Sequence, residues 1–104
     1  MDLAVIIYQA TANFPDSERF GLTNQMRRSA VSVSSNIAEG AGRNGNNEFY
    51  NFLGIANGSA SELFSQVILA RRLEYLSARD EKFITELIKE IQLMLSSLKK
   101  SLKK

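Results

Sequence analysis

The sequence predicts an all-α protein folded as an antiparallel up-and-down four-helix bundle. Three observations carry this. Apolar residues recur three and four apart along most of the chain, and no segment sustains the alternation of a strand. Three short breaks separate four helical segments, and Pro15 is the only proline. The chain has 104 residues, 44% of them hydrophobic, enough for a single modest core and one domain over residues 1–104.

The first helix spans about residues 2–14, with Leu3, Ile6, Ile7, Ala10 and Phe14 at helical spacing. Phe14-Pro15 ends it, because the residue before proline avoids the α region. It is short for a bundle and reads as cut back at its start. The second spans about 23–39. Thr23 is the expected N-cap, Leu22, Met26, Ser29, Val33 and Ile37 form the inward stripe, and Gly40 sits where a left-handed glycine would end the helix.

The third helix spans about 47–76, with Asn46 or Asn47 as N-cap. Phe49, Leu53, Ala56, Ala60, Leu63, Val67 and Ala70 make a heptad seam. Gly58 costs about 1 kcal/mol against alanine there. With Ala56, Ser59 and Ala60 it forms a patch of small residues that a neighbouring helix can approach closely. Ser77 caps the fourth helix, about 78–102, with Asp80 in the position of a capping-box acid. Its seam is Ile84, Ile88, Ile91, Leu95, Leu98 and Leu102, widened by Phe83, Leu87 and Met94. Short connections make successive helices antiparallel, and 3.5-residue seams pack at shallow angles.

A second apolar strip on the third helix, Ile55, Leu69, Leu73 and Leu76, lies off its seam. With the broad face of the fourth helix it exceeds what one small bundle covers. Such surplus marks an interface, and self-association is the economical expectation.

The composition argues against an enzyme. The chain has no cysteine and no histidine, which removes thiolate nucleophiles, thiolate and imidazole metal sites, and the usual general base. Gly42-Arg43-Asn44-Gly45 follows no strand and carries no Lys-Ser/Thr, so it is not a phosphate loop. Carboxylate-only metal binding by Glu39 or Glu48 is left open, and no cofactor is expected. No apolar run approaches the roughly 20 residues that span a bilayer. Met1-Asp2-Leu3 lacks the basic start of a signal peptide. The expected location is the cytoplasm, with no membrane partner.

Two constellations stand out. Arg28, Ser32, Ser35 and Glu39 are four, three and four apart and share one stripe of the second helix, flanked by Gln25 and Asn36. So many serines within a helix imply partners for their hydroxyls. The stripe reads as a hydrogen-bonding contact surface or as a small-residue face against a neighbouring helix or subunit.

The second constellation is basic. The net charge is +2 and the pI about 9.1, but the charge is uneven. Residues 1–70 carry four Arg against six acids, net −2, and residues 71–104 carry nine Lys or Arg against five acids, net +4. Arg27, Arg28, Arg43, Arg71, Arg72, Lys99 and Lys100 are the candidate phosphate contacts, since arginine forks suit phosphate and such contacts add through counterion release. The alternatives are ordinary ion pairs, such as Arg71 with Glu74, and a solvated helix end at Lys99, Lys100, Lys103 and Lys104.

Several blocks occur in an order that carries a resemblance. They are Asn13-Phe14-Pro15, Phe20-Gly21-Leu22-Thr23, Gln25 to Ser32, Asn36-Ile37-Ala38-Glu39-Gly40, Glu48-Phe49, and Ala56-Asn57-Gly58-Ser59-Ala60-Ser61-Glu62-Leu63. Over nearly its whole length the chain resembles the proteins encoded in intervening sequences of bacterial 23S rRNA genes, a four-helix-bundle family. The resemblance implies a ring-shaped homopentamer. It extends to the accessory variability determinant of diversity-generating retroelements, a basic barrel that binds nucleic acid beside a reverse transcriptase. By resemblance, RNA or DNA binding is the expected function, and a scaffold for another protein is the alternative. The positions matching the family motifs are Gln25, Arg27, Arg28, Asn36, Glu39, Arg43, Gly58, Ser59 and Glu62. Together with Ser32, these include the candidate interface residues Gln25, Asn36, Glu39, Gly58, Ser59 and Glu62.

Overall fold

The computed structural model describes residues 2–102. They form four α-helices and one 3₁₀ turn, with no strand among the described residues. The helices are α1 (Leu3–Thr11), α2 (Leu22–Ala41), α3 (Asn46–Arg72) and α4 (Ala78–Leu102). The particle measures 46 × 23 × 20 Å. Each helix packs on its neighbours in the chain, and α1 also touches α4. Among the described residues the backbones of the diagonal pairs α1/α3 and α2/α4 stay apart, and those helices share only side-chain packing in the core. Neighbours run antiparallel: Ser32 of α2 faces Ser59 of α3, whereas Gly40 faces Phe49 and Phe52.

The first helix ends three residues earlier than expected. Asp2 caps it, its Oδ1 accepting from the Ala4 N–H at 3.0 Å. It stops at Thr11, after which Phe14, pushed out of the α region by Pro15, turns into the core against the Tyr75 ring. A 3₁₀ turn at Asp16–Glu18, absent from the expectation, leads into α2.

The expected cap at Thr23 is corrected: Gly21 holds the N-cap position and Thr23 is buried in the first turn. Glu18 serves instead, its Oε1 accepting from the Leu22 N–H at 3.0 Å. A Cβ at Gly21 would lie 2.8 Å from that oxygen, so the missing side chain makes room for the cap.

Gly40 does not end α2, and no glycine among the described residues has positive φ. Helix α2 runs through Gly40 to Ala41. A Cβ at Gly40 would come within 2.6 Å of the Phe52 Cβ and 2.9 Å of the Phe49 ring. Glycine is there because α3 passes close by, not because the chain turns. Gly45, not Asn46 or Asn47, holds the N-cap position of α3, without a side-chain cap.

Helix α3 ends at Arg72, four residues earlier than expected. Glu74 adopts φ 66°, the Tyr75 N–H donates to the Ala70 carbonyl (2.9 Å), and the Glu74 N–H donates to that of Arg71 (3.0 Å). This is a Schellman stop built on a glutamate where glycine is usual. Ser77 does cap α4, its Oγ accepting from the Asp80 N–H at 3.0 Å.

The α3 seam is inward as expected. Leu53, Ala56, Ala60, Leu63, Val67 and Ala70 are fully buried. The core forms two clusters. One surrounds Ile7, Met26, Leu63, Val67, Ile84 and Ile88 at the end where α1 packs. The other holds Leu53, Ala56 and Leu95 near the α2–α3 turn. Ile37 and Ile91 are the partly buried side chains packed against both. Of the second apolar strip, Ile55, Leu69 and Leu73 are exposed, but Leu76 is buried because the chain turns inward after the Schellman stop. Gly58 faces open space and is no close-approach point within the bundle.

Candidate functional site

The polar stripe of α2 lies along α3, where the two helices enclose a groove of about 580 Å³. Gln25, Arg28 and Ser32 line it from α2, and Ser59 and Glu62 from α3. Five candidates separated by up to 37 residues in sequence thus share one site. The Ser32 and Ser59 hydroxyls are hydrogen-bonded at 2.8 Å. Asn36 Nδ2 donates to the Ser32 carbonyl (2.8 Å) and to its Oγ (3.0 Å). The Ser32–Ser59 bond ties α2 to α3, and the Asn36 bonds satisfy Ser32 from within α2. Gln66 also lines the groove, and its Oε1 is buried without a donor among the described residues.

Glu39 lies outside this groove. Its Oε2 accepts from Arg43 Nη2 at 2.8 Å, and Glu48 lies 3.6 Å from the same guanidinium, which also sits 5.0 Å from the Phe52 ring centroid. The two carboxylates once open to a metal therefore share an arginine. Among the described residues no group of three acidic side chains converges as a metal site would require. Gly58 is exposed on the outer side of α3, away from the groove floor.

The basic candidates divide between the ends of the bundle. Arg27, Arg28, Arg71 and Arg72 lie where α2 begins and α3 ends, while Arg43, Lys99 and Lys100 lie at the other end. Residues 50 to 71 of α3 separate the two groups by about 30 Å at 1.5 Å per residue. Arg27 is a structural clamp: its Nε donates to Thr11 Oγ1 (2.9 Å), its Nη2 to the Tyr8 carbonyl (3.4 Å), and its guanidinium covers the Tyr8 ring at 4.4 Å. Lys99 lies over the Tyr50 ring at 4.7 Å. Arg71 does not pair with Glu74; among the described residues only Arg43 is ion-paired. Lys103 and Lys104 lie outside the described residues.

The profile of the 23S rRNA-intervening sequence proteins matches residues 1–97. The chain belongs to that family. A similar protein of known structure shows the same fold: a protein of unknown function from the S23 ribosomal protein family of Bacteroides thetaiotaomicron. It superposes with a TM-score of 0.83 at 28% identity, over 98% of this chain and 93% of that one. No curated protein is significantly similar. Among the described residues, no helix of this family member is long and apolar enough to cross a membrane.

Sequence reasoning missed a second groove, of about 570 Å³, between α1 and α2. Tyr8, Arg19 and Phe20 line it with Arg27 and Arg28. Its signal was available. Tyr8 and Phe20 lie off the apolar seams, and Phe20 directly follows an arginine. An aromatic residue outside the seam and beside arginines has no place in the core.

Proposed function

We infer that the chain is a non-enzymatic cytoplasmic module that assembles as a ring of five and binds RNA or DNA through arginine and lysine side chains. One observation carries the nucleic-acid part. Arg28, Arg71, Arg72 and Lys100 have no carboxylate within ion-pair distance among the described residues. Unpaired cations remain available to phosphate, and a ring multiplies them around one axis. The non-enzymatic part rests on the absence of histidine and cysteine.

The ring is supported by where the surplus apolar surface falls. Ile55 and Leu69 are exposed on α3 and Leu73 just past its end, and heptad spacing puts Ile55 and Leu69 in line with Glu62 of the α2–α3 groove. Phe83 and Met94 are exposed on α4, Phe83 against α1. The α2–α3 and α1–α4 faces are opposite sides of the bundle. Two different faces on opposite sides suit head-to-tail contact, which closes into a ring when the rotation allows. Five is the number that the family resemblance implies.

The mixed lining of the α2–α3 groove, Arg28 with Glu62 and neutral hydrogen-bonding groups, suits a protein surface better than a phosphate chain. In this reading that surface is the next subunit, and the scaffold reading would give it to another protein.

Light scattering after size exclusion tests the ring. The expected mass is five times the 11.6 kDa of the chain, and a monomer would refute it. Titration of structured RNA at several salt concentrations tests binding. The expected result is an affinity that falls steeply with salt; no binding near physiological salt sinks this reading. A protein captured from extract that survives nuclease treatment would favour the scaffold.

A further inference from the structure

The α1–α2 groove adjoins the α2–α3 groove across α2 and shares Phe20, Asn24, Arg28 and Ser32 with it, but its lining is chemically one-sided. It holds three arginines, Arg19, Arg27 and Arg28, two aromatic rings, Tyr8 and Phe20, and no carboxylate. Phe20 is 85% exposed, the highest value among the exposed large hydrophobic side chains. Burial in the bundle does not explain a phenylalanine there.

The ring also stands on a firm base. The Arg19 N–H donates to the Asp16 carbonyl (3.1 Å) and the Gly21 N–H to that of Glu18 (3.0 Å), so the backbone on both sides of Phe20 is tied into the 3₁₀ turn. The Arg19 guanidinium lies 5.5 Å from the Phe20 ring centroid. Arg27, clamped to Thr11 and Tyr8, forms a fixed cationic wall, whereas Arg28 is exposed and has no acidic partner among the described residues. Asn24 adds an amide that both donates and accepts.

We propose that the α1–α2 groove receives an unpaired base of a single-stranded nucleic acid, stacked on Phe20, with the flanking phosphates on Arg19 and Arg28. The proposal rests on the nucleic-acid reading above and specifies the strandedness which that reading leaves open. A preset aromatic platform beside arginines matches the way single strands are held, with sequence-tolerant stacking and phosphate contacts side by side. A duplex keeps its bases stacked on one another, so it can use the arginines but not the ring. A chain of phosphates also suits a lining with three cations and no anion better than a mixed-charge protein surface does.

The test compares a fluorescent single-stranded RNA without self-complementarity and the duplex of the same length, by anisotropy at several salt concentrations. The variants are Phe20→Ala and Phe20→Tyr in the full chain. The expected result is single-strand binding about 10-fold tighter than duplex binding. Phe20→Ala lowers single-strand affinity about 10-fold without changing the salt slope or the duplex affinity, and Phe20→Tyr restores it. Because Phe20 is exposed within the bundle, both variants are expected to keep the helical circular dichroism of the parent; because Phe20 also borders the α2–α3 groove, their assembled mass is measured, and the proposal expects it unchanged. Equal affinity for both probes with a silent Phe20→Ala overturns the proposal and leaves the broader nucleic-acid reading standing. A change of assembled mass in Phe20→Ala assigns the ring to a subunit contact and also overturns it. Failure of the parent protein to bind either probe removes the broader reading, and this proposal with it.

Discussion

Where α1 packs, four helices enclose a cluster of 14 buried residues; beyond the start of α1, three helices enclose only Leu53, Ala56 and Leu95. The second region closes itself with side chains that remain partly exposed, Phe49, Leu98 and Leu102. The charges differ in the opposite sense. At the three-helix end Arg43 is shared by Glu39 and Glu48, and Lys99 covers Tyr50. At the four-helix end Arg28, Arg71 and Arg72 have no such acidic partners among the described residues. The well-packed end therefore carries three of the four uncommitted basic candidates, and Lys100 is the one at the other end. A rigid base is what a binding surface needs, because ordering it at the moment of binding would cost affinity.

The comparison can be broken by removing the same atoms from each core. Leu63→Ala is expected to cost about 4 kcal/mol, because four surrounding helices cannot collapse into the cavity, and Leu53→Ala about 2 kcal/mol. Urea denaturation measures both, and equal costs would erase the distinction. Gly40→Ala sharpens it from the other side. The new methyl group must displace Phe52 or Phe49, so about 2 kcal/mol of destabilisation is expected, with the loss of amide protection concentrated around the α2–α3 turn.

For charge, the double variant Arg71→Ala/Arg72→Ala is expected to reduce the salt slope of RNA binding by about 2, roughly one per phosphate contact. Lys99→Ala/Lys100→Ala should reduce it less, since Lys99 already lies over Tyr50. The reverse order would move the binding surface to the three-helix end. Glu74→Gly relieves a left-handed glutamate and should stabilise the four-helix end by about 1 kcal/mol in thermal melts.

The smallest effect concerns Tyr75. Its hydroxyl donates to Glu18 Oε2 at 3.0 Å, and that bond, with lesser contributions from burial and from the Glu18 charge, raises its pKa above the ordinary 10.0. The protonated phenol is the stabilising form. Its contribution is complete below pH 10 and is lost as pH rises through the raised folded value. The stability gap between the parent and Tyr75→Phe should therefore close above pH 10; a gap that persists there would show that the hydroxyl is not its source.

The helix seams were legible because period alone decides which residues turn inward. Each expected α3 seam position from Leu53 to Ala70 is fully buried. The polar stripe was legible for the same reason, since one row of α2 must face something. What period does not encode is the approach of a second helix. Gly40 looks like a helix stop until Phe49 and Phe52 are placed against it. The cap of α2 was missed because Glu18 reaches forward from a turn that leaves no periodic trace. The end of α3 was missed because Glu74 carries no turn signature of its own. The place of Phe20 off the seams and beside Arg19 was readable, but its exposure was not, because the geometry of one short turn decides whether a lone aromatic is buried.

Among the described residues Ile37 and Ile91 are the partly buried hydrophobic side chains that pack against both clusters, and this makes them the coupling between two potential folding units. Native-state hydrogen exchange should register how firm that coupling is. With both isoleucines intact, amides of the three-helix end open at a free energy below that of global unfolding but linked to it. Shortened to alanine, they would let that end open and close almost independently, and α2, α3 and α4 would each melt from one tip while the end bearing α1 stayed folded.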